Sequence, residues 1–151
     1  MTAAPIAPNR LPDPTAKPEF YRSIPTKRAL AWLFDVILIA IASVLILPFT
    51  AFLGIFIFPV IMLVIGFIYR WFTIANRSST WGMRMMGVEL RDIDGERLES
   101  GTALLHTVGY TVSVAIAPLQ LVSIIMMLVS PRKQGLTDHL LGTAAINRPS
   151  N

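Results

Sequence analysis

ALAWLFDVILIAIASVLILPFTAFLGIFIFPVIMLVIGFIY, residues 29 to 69, is a run of 41 residues with a single formal charge, Asp35. At about 1.5 Å per residue it would make roughly 60 Å of helix, about twice the hydrocarbon thickness of a bilayer. The run must therefore fold back on itself. Pro48 and Gly54, near its middle, supply a helix breaker and a flexible residue. This predicts a first span at about 29–48 and a second at about 54–74. Further along, Ala103 to Val129 is a stretch of 27 residues without Asp, Glu, Lys or Arg. It is long enough to cross with tilt, and Pro118 is expected to kink it. The expected fold is an all-α integral membrane protein with three transmembrane helices, the third open to breaking at Pro118, and with the lipid bilayer as its first partner.

Composition agrees. The chain is 54% apolar and only 15% charged, with a mean hydropathy of +0.60, outside the usual soluble range. Its 13 Lys and Arg outnumber 9 Asp and Glu, which would suggest nucleic acid only if they formed one water-exposed face. Instead they cluster beside the apolar runs, so no nucleic-acid partner is expected. No cysteine is present, which excludes disulfides, thiolate metal ligands and a cysteine nucleophile. Two histidines are too few for a zinc site, and no metal or cofactor is expected.

Met1 to Thr26 is polar and proline-rich, without the short apolar core of a signal peptide. Residues 1–27 are therefore read as a disordered cytoplasmic arm, and Pro8, Arg10 and Pro12 make only a weak proline-rich ligand motif. Orientation follows from the basic residues, which stay on the cytoplasmic side of span ends. Arg10, Lys17, Arg22, Lys27 and Arg28 precede the first span. Arg70, Arg77, Arg84, Arg91 and Arg97 follow or end the second, and the connection between the two spans holds none. Both basic segments, and the N-terminus, are expected inside. Trp32, Tyr69, Trp71 and Trp81 fall near the same interface, where amphipathic rings anchor.

The end of the chain conflicts with that scheme. Three full crossings would export a tail that carries Arg132, Lys133 and Arg148, whereas the charge rule prefers it inside. Three plain crossings are the default expectation. The alternative is that 103–129 enters as a broken helix pair bent at Pro118, each half too short to cross. Between spans two and three, Gly87 to Ile93 alternates apolar and charged residues and Asp94-Gly95 signals a turn, so a small cytoplasmic β-hairpin is predicted. Asp92 and Asp94 resemble part of a calcium loop but lack the remaining ligands. Before them, Trp81, Met85, Met86 and Val88 interleave with Arg84 in a stretch suited to the membrane interface.

Few residues are suited to chemistry. An ionised Asp35 two turns inside a span costs roughly 2.5 to 3.5 kcal/mol on insertion scales, so it needs a partner. Arg28, seven positions earlier, shares its helix face but lies about 10 Å away along the axis. A partner on another segment is expected. His106, Tyr110, Ser113, Gln120 and Ser123 follow one helical stripe, which should face protein or water rather than lipid. The plain reading of that stripe is helix-joining hydrogen bonds, and the functional one is a proton or cation path through Asp35, His106, Tyr110, Gln120 and Asp138.

Three motifs, taken in order, carry a resemblance. They are Arg28-Ala-Leu-Ala-Trp-Leu-Phe-Asp35, Trp81-Gly-Met-Arg-Met-Met-Gly87-Val, and Gly135-Leu-Thr-Asp138-His-Leu-Leu-Gly142-Thr143. Together they resemble the bacterial RDD family of membrane proteins over about Lys27 to Asn147. The arginine and two aspartates of the family name would map onto Arg28, Asp35 and Asp138. Where that family's middle motif usually carries a Gly-Lys-Arg-like run, this chain keeps only Arg84. The resemblance implies a multi-span protein of the bacterial inner membrane, residues 28–147 forming its membrane domain and 148–151 a tail. It also implies that Arg28, or the pair Arg132 and Lys133, compensates Asp35 and Asp138 at the cytoplasmic mouth, which favours a returning tail.

Two functions compete. One is a transport subunit in which Asp35, His106 and Asp138 handle a proton or small cation; three helices scarcely enclose a path, so it requires a homo-oligomer. The other is an interaction or assembly protein with a membrane partner, in which the charged residues are structural. An enzyme is not expected, because no nucleophile-and-base pair, glycine-rich phosphate loop or metal cluster is present.

Overall fold

The computed structural model of the chain describes residues 10–149. Helix α1, Ile24–Ile46, and helix α2, Phe58–Arg77, form an antiparallel pair. With their flanking turns they make two helical stretches, Pro18–Thr50 and Leu53–Arg77, that are long and apolar enough to cross a membrane. The reversal between them is tighter than a loop. Pro48 has no N–H for the helical ladder, so the chain closes into a 3-10 turn at Leu47–Thr50, passes Ala51 and Phe52 in left-handed conformations, and re-enters through a second 3-10 turn at Leu53–Ile57. Thr50 stitches this corner, donating to the Leu47 carbonyl and accepting from the Gly54 amide.

The third apolar stretch is two helices with a sharp break between them. Helix α4, Ser100–Ala115, and helix α5, Ala117–Val129, meet at Ile116 with a bend of 115°. Pro118 explains the position. It cannot donate to the Val114 carbonyl, and its ring would collide with that carbonyl in a continuing helix. Ile116 takes an extended conformation instead, and its carbonyl accepts from Leu119 and Gln120 to restart the helix.

Short elements close the end of the bundle at which α1 begins and α2 ends. Helix α3, Trp81–Met85, starts at Thr80, whose hydroxyl caps the Met83 amide. Strand β1, Val88–Arg91, pairs antiparallel with strand β2, Ala144–Asn147, in the register Val88 to Asn147 and Arg91 to Ala144. Helix α6, Leu136–Leu141, leads into β2. The predicted hairpin is thus corrected: the strand at 88–91 is present and a turn follows it, yet its partner comes from the far end of the chain. Asp92 does hold a turn by accepting from the amides of Asp94 and Glu96. After it the chain leaves for α4, and Leu98 donates to the Ser78 hydroxyl. β2 is apolar at Ala144, Ala145 and Ile146, so it can stand beside β1 with both faces of the sheet buried, which Glu96 and Arg97 could not.

One core lies between this sheet and the helices. Val88, Leu90 and Ala145 are buried against Ile24, Ala31, Ile74, Met83, Leu98 and Ala103. The opposite sheet face buries Ala144 and Ile146 under Leu11 and Tyr21. The arm expected to be disordered is therefore packed from Arg10 onward. Arg10 donates to the Ile93 carbonyl, Tyr21 to the Pro12 carbonyl, and Asn147 to the carbonyls of Glu19 and Arg22. A few apolar side chains suffice because the sheet offers them a ready surface. Pro8 and the rest of residues 1–9 lie outside the described residues, as do Ser150 and Asn151 of the tail.

Candidate functional site

Two carboxylates, one on α1 and one on α6, are enclosed by different shells. Asp35, on α1, is 1% exposed. Its Oδ1 accepts from the Tyr69 hydroxyl at 2.6 Å and the Gly82 amide at 2.9 Å, and its Oδ2 accepts from the Thr80 hydroxyl at 2.6 Å. The nearest cation is Arg70, with Nη1 3.9 Å from Oδ2. The partner expected on another segment is thus a set drawn from α2 and the start of α3. Gly82 makes the approach feasible: a Cβ there would sit 2.2 Å from the Ala31 carbonyl oxygen. The glycine of the Trp81-Gly-Met motif is a spacer that lets α3 lie on α1.

Asp138, on α6, is also 1% exposed. Its Oδ1 accepts from Thr143 at 2.9 Å and meets His106 Nε2 at 3.0 Å; its Oδ2 accepts from Arg28 Nη1 at 2.6 Å and from the Gly135 amide at 3.0 Å. Burial pushes this carboxyl up, but the Arg28 charge and the His106 hydrogen bond override burial and hold it well below the ordinary carboxylate range. Arg28 therefore serves Asp138 and not Asp35, in line with the distance along α1. The other proposed compensators are corrected. Arg132 sits against Tyr21, and Lys133 donates to the Leu128 carbonyl; neither meets Asp35 or Asp138.

Between the two shells lies a cavity of about 630 Å³ bounded by α1, α2, α4, α5 and α6 and the start of α3. Asp35, His106, Tyr110, Gln120 and Asp138 all line it, so the expected path residues do share one wall, although His106 joins Asp138 alone. The stripe itself runs over two helices. Ser113 donates to Gln120 at 3.0 Å across the bend, and Ser123 accepts from the Leu136 amide at 3.0 Å to hold α6. Tyr110 accepts from the Trp32 indole at 2.7 Å, and the Arg70 guanidinium stacks on its ring, 4.1 Å from the centroid.

Several members of the site escaped sequence reasoning. In the sequence Arg70 reads only as one of the basic residues near the second span's end, Tyr69 only as an interfacial aromatic, Thr143 only as the last residue of the third motif, and Thr80 not at all. One signal was available: Arg70 lies seven positions inside the end of its helix, too deep for a purely orienting charge. Among the described residues, no group of three or more His, Cys, Asp and Glu could hold a metal ion.

Comparison with known proteins gives one match: the model of the RDD family covers residues 22–142. No curated protein and no solved structure matches the chain.

Proposed function

Because the chain belongs to the RDD family, we propose that it is a multi-pass protein of the bacterial inner membrane whose arginine and aspartates fasten an assembly platform at the cytoplasmic face. One observation carries this reading. A carboxylate offers about four lone-pair sites, and at Asp138 four protein donors fill them, while Asp35 has three hydrogen-bond donors with Arg70 beside them. A travelling cation would have to displace these partners. Residues that hold α1 to α6 and α1 to α3 are fasteners by their contacts, and the surface they build is offered to a second copy or another membrane protein. We assign the chain no catalytic step.

The same contacts support a topology of two crossings and a re-entrant pair, with both termini cytoplasmic. Helices α4 and α5, at 16 and 13 residues, reach only roughly 24 and 20 Å, short of the roughly 30 Å core. Asp138 bonds to Arg28 near the start of α1, and β2 pairs with β1 just after α2 and α3, so the tail shares their side.

A second reading, a homo-oligomeric transport subunit for a proton or small cation, is favoured by the cavity. It gathers Asp35, His106, Tyr110, Gln120 and Asp138, and the buried Nδ1 of His106 has no hydrogen-bond partner. Purified protein in vesicles separates the two. Under the fastening role, Asp35→Asn and Asp138→Asn lower the yield of folded protein and leave the ion flux of what folds unchanged. Flux that disappears in Asp35→Asn, with folding intact, would replace fastening by transport.

A further inference from the structure

The cavity wall is rich in hydrogen-bond donors and poor in free acceptors. Arg70 is nine-tenths buried and lines the cavity, yet among the described residues its guanidinium makes no hydrogen bond; it has only the Tyr110 ring and the distant Asp35 oxygen. Arg28 commits one nitrogen to Asp138, and its other N–H groups meet no acceptor among the described residues. The Tyr110 hydroxyl accepts from Trp32 and gives its own proton to no described residue, and the Gln120 side-chain nitrogen is likewise unengaged. The carboxylates that might have taken these donors are occupied by their own shells. Donors left unpaired in a protein interior cost free energy, so an occupant with acceptor oxygens would be held well.

The rest of the cavity states what carries those oxygens. Its wall continues as apolar side chains of α4 and α5, and Val114, Ile124 and Leu128 both line it and emerge on the exposed apolar surface of these helices. A volume of about 630 Å³ is within the roughly 300 to 1,000 Å³ of ordinary ligand sites. Entry from the bilayer fits an amphiphile better than a soluble ion. We propose that this cavity binds an anionic lipid, its phosphate or carboxylate head against Arg70, Arg28 and Tyr110 and its apolar chain along α5. Guanidinium N–H groups suit such oxygens because they form paired, charge-assisted bonds.

The test uses the full chain, purified, stripped of lipid by detergent exchange and offered phosphatidylglycerol, phosphatidylcholine, oleate or inorganic phosphate, with retained ligand counted by native mass spectrometry. Phosphatidylglycerol should be retained at least about tenfold over phosphatidylcholine, whose phosphate is the same but whose choline cation would be brought up to Arg70 and Arg28. Arg70→Gln should abolish that preference, and Tyr110→Phe, which keeps the ring under Arg70, should weaken it several-fold. Ile124→Trp fills the cavity without touching a charge and should block retention of phosphatidylglycerol and oleate alike. If Arg70→Gln fails to fold, Ile124→Trp decides: undiminished retention there overturns the proposal. So does equal retention of the two phospholipids, or inorganic phosphate binding as well as either amphiphile, which would mean a soluble anion. None of these outcomes bears on the Asp35→Asn and Asp138→Asn flux comparison, so the two readings fail separately.

Discussion

At the residue scale, the two aspartates differ in how their charge is met. Asp138 has a direct ion pair with Arg28, so removing either partner leaves the other unmatched. Asp138→Asn is expected to destabilise by roughly 3 kcal/mol, the low end for a buried pair because Arg28 is 20% exposed. Thermal unfolding in detergent measures it, and a double-mutant cycle with Arg28→Gln should recover a coupling above about 1 kcal/mol. The sign of the pH dependence follows from the same shell. The folded carboxyl titrates below its unfolded value of about 3.9, so Asp138's contribution is complete above about pH 4 and fades as pH falls toward the folded value. Acid unfolding of the wild type should steepen below about pH 4, and Asp138→Asn should flatten that limb. Gly82→Ala is a steric test: its methyl would meet the Ala31 carbonyl oxygen, a backbone atom that cannot step aside. A loss of about 1 to 3 kcal/mol is expected, with weakened packing of α3 on α1; unchanged stability would show that the approach is looser than the contact implies.

At the element scale, local signals were read well where one residue type decides the outcome. Pro48 and Pro118 break helices whatever their surroundings, and each reversal falls within a few residues of its proline. The alternation from Gly87 to Ile93 likewise foretold a strand. Its partner was not readable, because a two-residue period says that a segment has two faces and not what covers them. Arg91 and Ala144 stand opposite each other in β1 and β2. The chain has no cysteine, so Arg91→Cys with Ala144→Cys should oxidise to an intramolecular disulfide in isolated membranes, detected as a two-hydrogen mass loss. A local hairpin would leave both thiols free. Residues 10–23 show the converse limit. Low apolar content argued for disorder, yet Leu11 and Tyr21 need only the exposed face of the sheet to become buried.

At the scale of the whole molecule, the returning tail joins three elements that the chain order separates. The Arg28 to Asp138 bond, the strand pairing and the contacts of Asn147 all fix the segment from Asp138 to Asn147 beside the start of α1. A single cysteine at Ser150 should therefore stay unlabelled by an impermeant maleimide in intact cells and react after lysis; labelling of intact cells would restore three full crossings. Hydropathy by itself had been enough to assign the bilayer, because the cost of exposing 41 nearly uncharged residues to water exceeds any local preference. Motif order had been enough to relate Arg28, Asp35 and Asp138 to one family. Which charge meets which, why Arg70 stands beside Asp35, and which strand pairs with β1 depend on side chains distant in sequence. Those choices were left to the tertiary structure, because ion pairs, strand partners and cavities arise from elements brought together in space, and a sequence period records only the face each element presents.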